Sequence, residues 1–201
     1  MKDTDNLESP GALNAILAQT DRLGFTMASE PRTGSLLRTL ARSKPGGVLL
    51  ELGTGTGVAT AWLLDGMDEH ARLITIEQDQ QVAVVAQAHL GDDPRVTCHV
   101  EDAAAVLTRL ADERFDLIFA DTWVGKYTHL DEALGLLKEG GLYVIDDMLP
   151  QANWPDGHEE KVRELIAVLE ARQDLAVTKM NWASGIIVAA KRNAWPGAAS
   201  N

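Results

Sequence analysis

The chain has 201 residues, 18 Lys and Arg against 30 Asp and Glu, a formal net charge of −12, and one cysteine, Cys98. That length suits one domain with a sizeable core, and no apolar run reaches the ~18 residues of a membrane span. The acidic balance argues against nucleic acid or an anionic membrane surface as the main partner, since both need a basic face. A small-molecule substrate is the natural expectation. One cysteine rules out an internal disulfide and suits the cytoplasm. The opening Met1-Lys2-Asp3-Thr4-Asp5 carries acids where a signal peptide would be basic.

Residues 1–10 are polar and expected to be loose. Leu13, Ile16, Leu17 and Thr20, followed by Leu23-Gly24, predict a short helix stopped at the glycine. Phe25 to Pro31 is a connecting segment. Residues 34–43 predict an amphipathic helix with Leu36, Leu37, Leu40 and Ala41 on one face. After Pro45-Gly46-Gly47 the pattern alternates. Strands are predicted over 48–52, 73–76, 96–100, 115–120 and 142–145, and helices over 56–67, 80–90, 103–111, 129–138 and 159–171. Gly140-Gly141 is read as the stop of the helix before the fifth strand. Segments 175–181 and 185–190 are close enough to form an antiparallel pair, and the tail from 193 is Ala/Gly/Ser-rich and expected to be flexible. Strands apolar on both faces and joined by helices imply an α/β fold, a doubly wound, mostly parallel sheet covered on both sides. A single domain over 1–201 is expected, with 1–30 as an N-terminal helical and loose segment.

The organising stretch is Val48-Leu49-Leu50-Glu51-Leu52-Gly53-Thr54-Gly55-Thr56-Gly57: a buried strand, an acid, and three glycines at alternate positions. An apolar helix follows, so the glycines sit on a strand-to-helix turn whose free N–H groups can face a ligand. Glu77 ends the second strand, where a carboxylate can hold ribose hydroxyls. A dinucleotide fingerprint would need a small third residue, but Val58 or Thr60 fills that slot. The E-x-G-x-G-x-G pattern instead resembles the first motif of the Rossmann-like S-adenosylmethionine-dependent methyltransferases. A carboxylate at Glu51 would suit a ligand bearing an amino group and a sulfonium. The resemblance implies S-adenosylmethionine as cofactor, Gly53, Gly55, Gly57, Glu51 and Glu77 as its contacts, and a seven-strand order 3-2-1-4-5-7-6 with the last strand antiparallel.

Every strand ends in acid: Glu51, Glu77, Glu101-Asp102, Asp121 and Asp146-Asp147. Ligands of open α/β sheets bind at that edge, and crowded carboxylates repel unless a cation or hydrogen-bond donors neutralise them. A cationic cofactor accounts for some of them. A Mg²⁺-like ion would account for Asp121, Asp146 and Asp147 as hard oxygen ligands.

The run Phe115-Asp116-Leu117-Ile118-Phe119-Ala120-Asp121-Thr122-Trp123 with Tyr127 resembles the catechol-type, metal-dependent O-methyltransferases. So do Leu137-Lys138-Glu139-Gly140-Gly141-Leu142-Tyr143-Val144-Ile145-Asp146-Asp147, Arg32-Thr33-Gly34-Ser35-Leu36-Leu37 and Ile74-Thr75-Ile76-Glu77. The resemblance implies metal ligation by Asp121, Asp146 and Asp147, and an adenine contact at Asp102-Ala103. Asp102 also suits an N-cap. Three departures stand out. The family's strand-five Asp-Asn is here Asp146-Asp147. Its lysine base three residues after Asp121 is Val124, with Lys126 two residues further on. Ser184-Gly185 stands where an acid is usual. Lys126, beside Asp121, is thus the expected catalytic base, while Trp123 and Trp154 are expected in the cofactor and acceptor pockets. Asp147, His129 and His158 are the other candidate bases.

The expected activity is methyl transfer to a small-molecule hydroxyl. A metal-independent N- or carboxyl-methyltransferase, a non-catalytic S-adenosylmethionine-binding module and a nicotinamide oxidoreductase are the competing readings. A homodimer is compatible with all of them.

Overall fold

The structure is a computed structural model and describes residues 7–193; the expected loose start and flexible tail at 1–6 and 194–201 lie outside the described residues. Two helices, α1 (Leu13–Leu23) and α2 (Pro31–Arg42), precede the alternating part of the chain. Gly24 closes α1 in the left-handed conformation, its N–H bonded to carbonyls of the last turn. Pro31 opens α2 at the helix start, where its missing N–H costs nothing.

The alternating part runs β1 (Val48–Leu52), α3 (Val58–Gly66), β2 (Arg72–Glu77), α4 (Gln80–Leu90), β3 (Val96–Val100), α5 (Ala103–Arg109) and β4 (Phe115–Ala120). It continues with α6 (Leu130–Gly135), β5 (Leu137–Ile145), α7 (His158–Ala171), β6 (Leu175–Met180) and β7 (Ile186–Lys191). The strands form one sheet in the order β3-β2-β1-β4-β5-β7-β6. β1 to β5 pair in parallel, and β7 runs antiparallel to both β5 and β6. The expected strand order is therefore the observed one. The chain reverses its winding between β1 and β4, which opens a crevice beyond their carboxyl ends.

Alternate residues of β1 feed opposite cores. Leu50 and Leu52 pack with Val106, Leu134, Leu165 and Leu169 from α5, α6 and α7. Leu49 packs with Ile16, Leu37, Trp62 and Val85 from α1 to α4. Both cores are closed to water: Leu49, Leu50, Leu52 and Trp62 are 0 % exposed. Truncating one such leucine to alanine costs about 2–5 kcal/mol. The same alternation turns Glu51 towards the α1–α4 side, with consequences for the site.

The largest departure from the expected boundaries lies between α6 and β5. The helix predicted over 129–138 ends at Gly135, and β5 begins at Leu137 rather than at 142. Leu136 and Leu137 are buried, and Leu137 pairs with Phe115 before the register shifts between Phe115 and Leu117. Gly140, with φ 72°, absorbs the extra residues of that bulge. The Gly-Gly pair bends a strand; it does not end a helix.

Candidate active site

A cavity of about 620 Å³ opens at the carboxyl edge of β1, β2, β4 and β5. Its floor is the turn between β1 and α3. Gly53, Gly55 and Gly57 have φ of 96°, 54° and 92°, a region that glycine alone adopts cheaply. A Cβ on Gly53 would lie 2.7 Å from the Asp121 carbonyl oxygen, and one on Gly55 would lie 3.3 Å from the Phe25 ring. These two glycines let backbone form the cavity floor. Gly57 does a different job: a Cβ there would sit 2.9 Å from Ala86 Cβ, so it permits α3 to lie against α4. It does not line the cavity.

At one end of the cavity Glu77 Oε2 accepts the Gly55 N–H at 2.9 Å, and Oε1 accepts the Asp79 N–H at 3.0 Å. The carboxylate is held by main chain at the rim, with lone pairs left for a ligand's hydroxyls. Phe25 to Glu30 form the opposite wall. That segment is pinned at two points, by the Phe25 N–H donating to the Thr20 carbonyl at 3.1 Å and by Ser29 Oγ donating to Asp121 Oδ2 at 3.0 Å.

Acids and aromatics fill the other end. The loop after β4 turns through Gly125, φ 87°, and its fold is fixed by Tyr143 donating to the Gly125 carbonyl at 2.7 Å. This brings Lys126 inward, only 5 % exposed. Its ammonium donates to the Asp146 carbonyl oxygen at 2.8 Å and lies 3.7 Å from Asp121 Oδ1. Asp146 Oδ1 accepts from the Asp147 N–H at 2.8 Å and from Ser184 Oγ. Beside these groups stand Trp123, Tyr127, Trp154 and His158, all on the cavity wall. Tyr127 Oη and His158 Nε2 are 3.1 Å apart, and the His158 ring centroid lies 4.6 Å from that of Trp154.

Burial, with Asp146 and Asp147 close by, pushes the Asp121 carboxyl well above its usual range, against the pull of the Lys126 charge. Burial and then Asp147 raise Asp146 to about 6. Burial, reinforced by Asp147, pushes Tyr127 up to about 12. His158 is lowered, first by burial and then by Lys126. Among the described residues Lys126 is the one lysine or arginine that lines this cavity with the three aspartates.

The cavity unites Gly53, Gly55, Glu77, Asp121, Trp123, Lys126, Asp146 and Asp147 among the expected residues, together with Trp154 and His158. Glu51, Gly57, Asp102 and Ala103 stand away from it. Glu51 is 0 % exposed, its Oε2 accepting from Thr60 and Thr75 at 2.6 Å each. Thr75 spends its proton on Glu51, so Thr54 is the donor in the 2.5 Å contact between Thr54 and Thr75. Glu51 thus braces the turn from below, and burial raises its acid to about 7. Asp102 N-caps α5, accepting the Ala104 N–H at 2.7 Å, and its neighbour Ala103 is the first residue of that helix. His129 sits at the start of α6 and Trp182 donates to the Arg32 carbonyl at 3.0 Å; neither reaches the cavity.

The expected metal ligands Asp121, Asp146 and Asp147 all line the cavity. Among the described residues no three His, Cys, Asp or Glu side chains come together to hold a metal ion. The physical reason is local: Asp146 Oδ1 is turned to Ser184 and its own chain, and the Lys126 ammonium faces Asp121. Sequence reasoning missed Ser29, Phe25 and Ser184 as site residues. Ser184 had a signal, since it stands where a family acid is usual; Ser29 and Phe25 lie in a segment with no motif.

A crevice at the switch point, a glycine floor and a rim carboxylate define a nucleoside-binding protein of the doubly wound α/β class. Residues 50–148 match the family model described as a methyltransferase domain. A protein of Mycobacterium sp. (strain KMS), named "Putative O-methyltransferase", is 33% identical over 174 residues, covering 82% of this chain and 79% of that one. A cofactor-bound protein from MTB superposes with a TM-score of 0.83 at 26% identity, covering 95% of this chain and 94% of that one. The O-methyltransferase TomG of Streptomyces achromogenes, solved with S-adenosylmethionine, shares the fold at a TM-score of 0.80 and 24% identity, covering 95% and 94%. The chain belongs to the class I S-adenosylmethionine-dependent O-methyltransferase family.

Proposed function

We propose that the chain, as a single domain, transfers a methyl group from S-adenosylmethionine to a hydroxyl of a small-molecule acceptor in this cavity. The observation that carries the reading is the continuity of the cavity, from Gly53, Gly55 and Glu77 at one end to Lys126, Tyr127, Trp154 and His158 at the other. The cofactor residues fit: backbone replaces side chain where a Cβ on Gly53 would collide, and Glu77 stands at the rim. When bound, S-adenosylmethionine supplies an electrophilic methyl on a positive sulfonium. The protein's work is alignment and charge. Glu77 holds the ribose end, the acidic edge at Asp121 favours a cation, and the aromatic wall orients the acceptor.

Lys126 was the expected base. Its ammonium is spent on the Asp146 carbonyl and faces Asp121, so we assign it a different task. It supplies fixed positive charge where the acceptor oxygen becomes negative, and Asp121 positions it. The Mg²⁺ implied by the family resemblance finds no group of three such side chains assembled among the described residues. No helix among the described residues is long and apolar enough to cross a membrane. The unpaired Cys98 supports placing the reaction in the cytoplasm. Nothing in the proposal depends on a second copy of the chain. The test is incubation with methyl-labelled S-adenosylmethionine and a panel of phenols, catechols and alcohols, with mass spectrometry of the products. O-methylated product is expected. Label on amines or carboxylates alone would contradict the reading.

A further inference from the structure

We infer that Tyr127 and His158 form the proton relay that deprotonates the acceptor hydroxyl. The inference rests on the O-methylation proposed above and names its base. Four observations on one wall of the cavity carry it.

The pair is built rather than incidental. Tyr127 leaves the loop after β4 and His158 opens α7, so two separate elements deliver a 3.1 Å contact between Oη and Nε2. Trp123 and Trp154 hold the imidazole ring between them, at centroid distances of 5.7 Å and 4.6 Å. His158 is 7 % exposed, and its Nδ1 is buried with no partner among the described residues. Nε2 is therefore the atom through which the ring exchanges a proton, and Tyr127 is its gate. Both residues line the same cavity as Lys126 and Asp121.

The charges around the ring keep it a base. Lys126 from the loop after β4 and Lys161 from α7 oppose protonation, and Asp147 after β5 favours it. His158 is also the first residue of a 14-residue helix, whose positive end disfavours an imidazolium. Burial is the largest influence against the charged ring, and in the Nδ1–H tautomer Nε2 is open to the Tyr127 proton. Lys126 and Asp121 are engaged elsewhere, one with the Asp146 carbonyl and the other with Ser29.

The acceptor oxygen forms its bond to the methyl carbon while the methyl–sulfur bond breaks, and the sulfur keeps that electron pair and becomes neutral. The acceptor's proton passes to Tyr127 Oη, and Tyr127's own proton passes to His158 Nε2. The Asp147 charge favours the imidazolium, which then returns its proton through Tyr127 to water.

The experiment compares wild type with Tyr127→Phe and His158→Gln, using the acceptor that wild type turns over fastest in the hydroxyl panel. Both variants should keep the S-adenosylhomocysteine Kd within about twofold and lose kcat by roughly 10²–10⁴. The acidic limb of the wild-type kcat–pH profile should disappear in both. A readout without turnover accompanies it: with S-adenosylhomocysteine bound, the ¹⁵N imidazole signals of wild type should report an unprotonated, hydrogen-bonded Nε2, and Tyr127→Phe should remove that bond. A kcat within threefold of wild type in both variants, an unchanged acidic limb, or a protonated Nε2 would each overturn the relay. If wild type binds S-adenosylhomocysteine yet methylates no hydroxyl in the panel, the O-methylation reading fails and the relay with it.

Discussion

Glu77 Oε2 accepts the N–H of Gly55 at 2.9 Å, which ties the acid that ends β2 to the middle of the turn that follows β1. The bond makes Glu77 a brace for the cavity floor, and the proposed cofactor role rests on its remaining lone pairs. Glu77→Ala should weaken S-adenosylhomocysteine by about 1–3 kcal/mol, the value of charge-assisted hydrogen bonds to hydroxyls. Glu77→Gln keeps one acceptor oxygen and should fall between the two. Isothermal titration of the three proteins checks the order; equal affinities would remove Glu77 from the cofactor site.

The three glycines should separate by experiment. Gly57→Ala forces a Cβ to 2.9 Å from Ala86 Cβ at a backbone φ of 92°. Overpacking of that kind costs about 1–3 kcal/mol. Its chemical-denaturation midpoint should drop while the cofactor affinity of the folded fraction changes little. Gly53→Ala strikes the Asp121 carbonyl beside the cavity and should lower both.

Lys126→Met should reduce kcat by roughly 10²–10³ with a nearly unchanged Kd for S-adenosylmethionine, the pattern of lost transition-state charge stabilisation. It also removes the cation that opposes the rise of the Asp121 and Asp146 acids. Steady-state kinetics and titration calorimetry separate the two effects. A fall in affinity equal to the fall in kcat/KM would place Lys126 at the cofactor instead.

Glu51 should leave a mark on stability against pH. Burial raises its acid from 4.5 to about 7 in the folded chain, so the folded state binds more protons than the unfolded state across that window. Its contribution is therefore fully present below the unfolded value and is lost as pH rises through about 7. At pH 8 the ionised carboxylate costs of order 3 kcal/mol relative to the acid. Glu51→Gln, which is never charged, should melt closer to or above wild type as pH rises from 5 to 8. A constant difference between the two proteins across that range would contradict the assignment.

The sheet was legible because apolar runs of five or six residues, each flanked by turn residues, carry their own lengths. Val48–Leu52, Val96–Val100 and Phe115–Ala120 have the predicted bounds. The start of β5 was not legible. Lys138-Glu139-Gly140-Gly141 has the composition of a helix stop, and only pairing with Phe115 makes it a bulged strand. The site was half legible. Glu77 and Asp121 end their strands and face the crevice, as spacing implied. Glu51 lies one residue before its strand's end, and its side chain is directed inward with Thr75, its register partner on β2. Strand-end acids look alike in sequence; the pleat decides which one meets the ligand. Asp102 caps the free N–H groups at the start of α5. Ser29 reaches Asp121 across 92 positions, a distance that no local pattern encodes.

The central claim is that this cavity binds S-adenosylmethionine, and differential scanning fluorimetry with S-adenosylhomocysteine, NAD⁺ and NADP⁺ tests it most directly. A ligand that binds only the folded state raises its melting temperature, by about 2.7 kcal/mol of stabilisation at a hundredfold excess over Kd. S-adenosylhomocysteine should raise the melting temperature of wild type, and much less that of Glu77→Ala, while the nicotinamide cofactors leave both unmoved. A shift with NAD⁺ and none with S-adenosylhomocysteine would contradict the account.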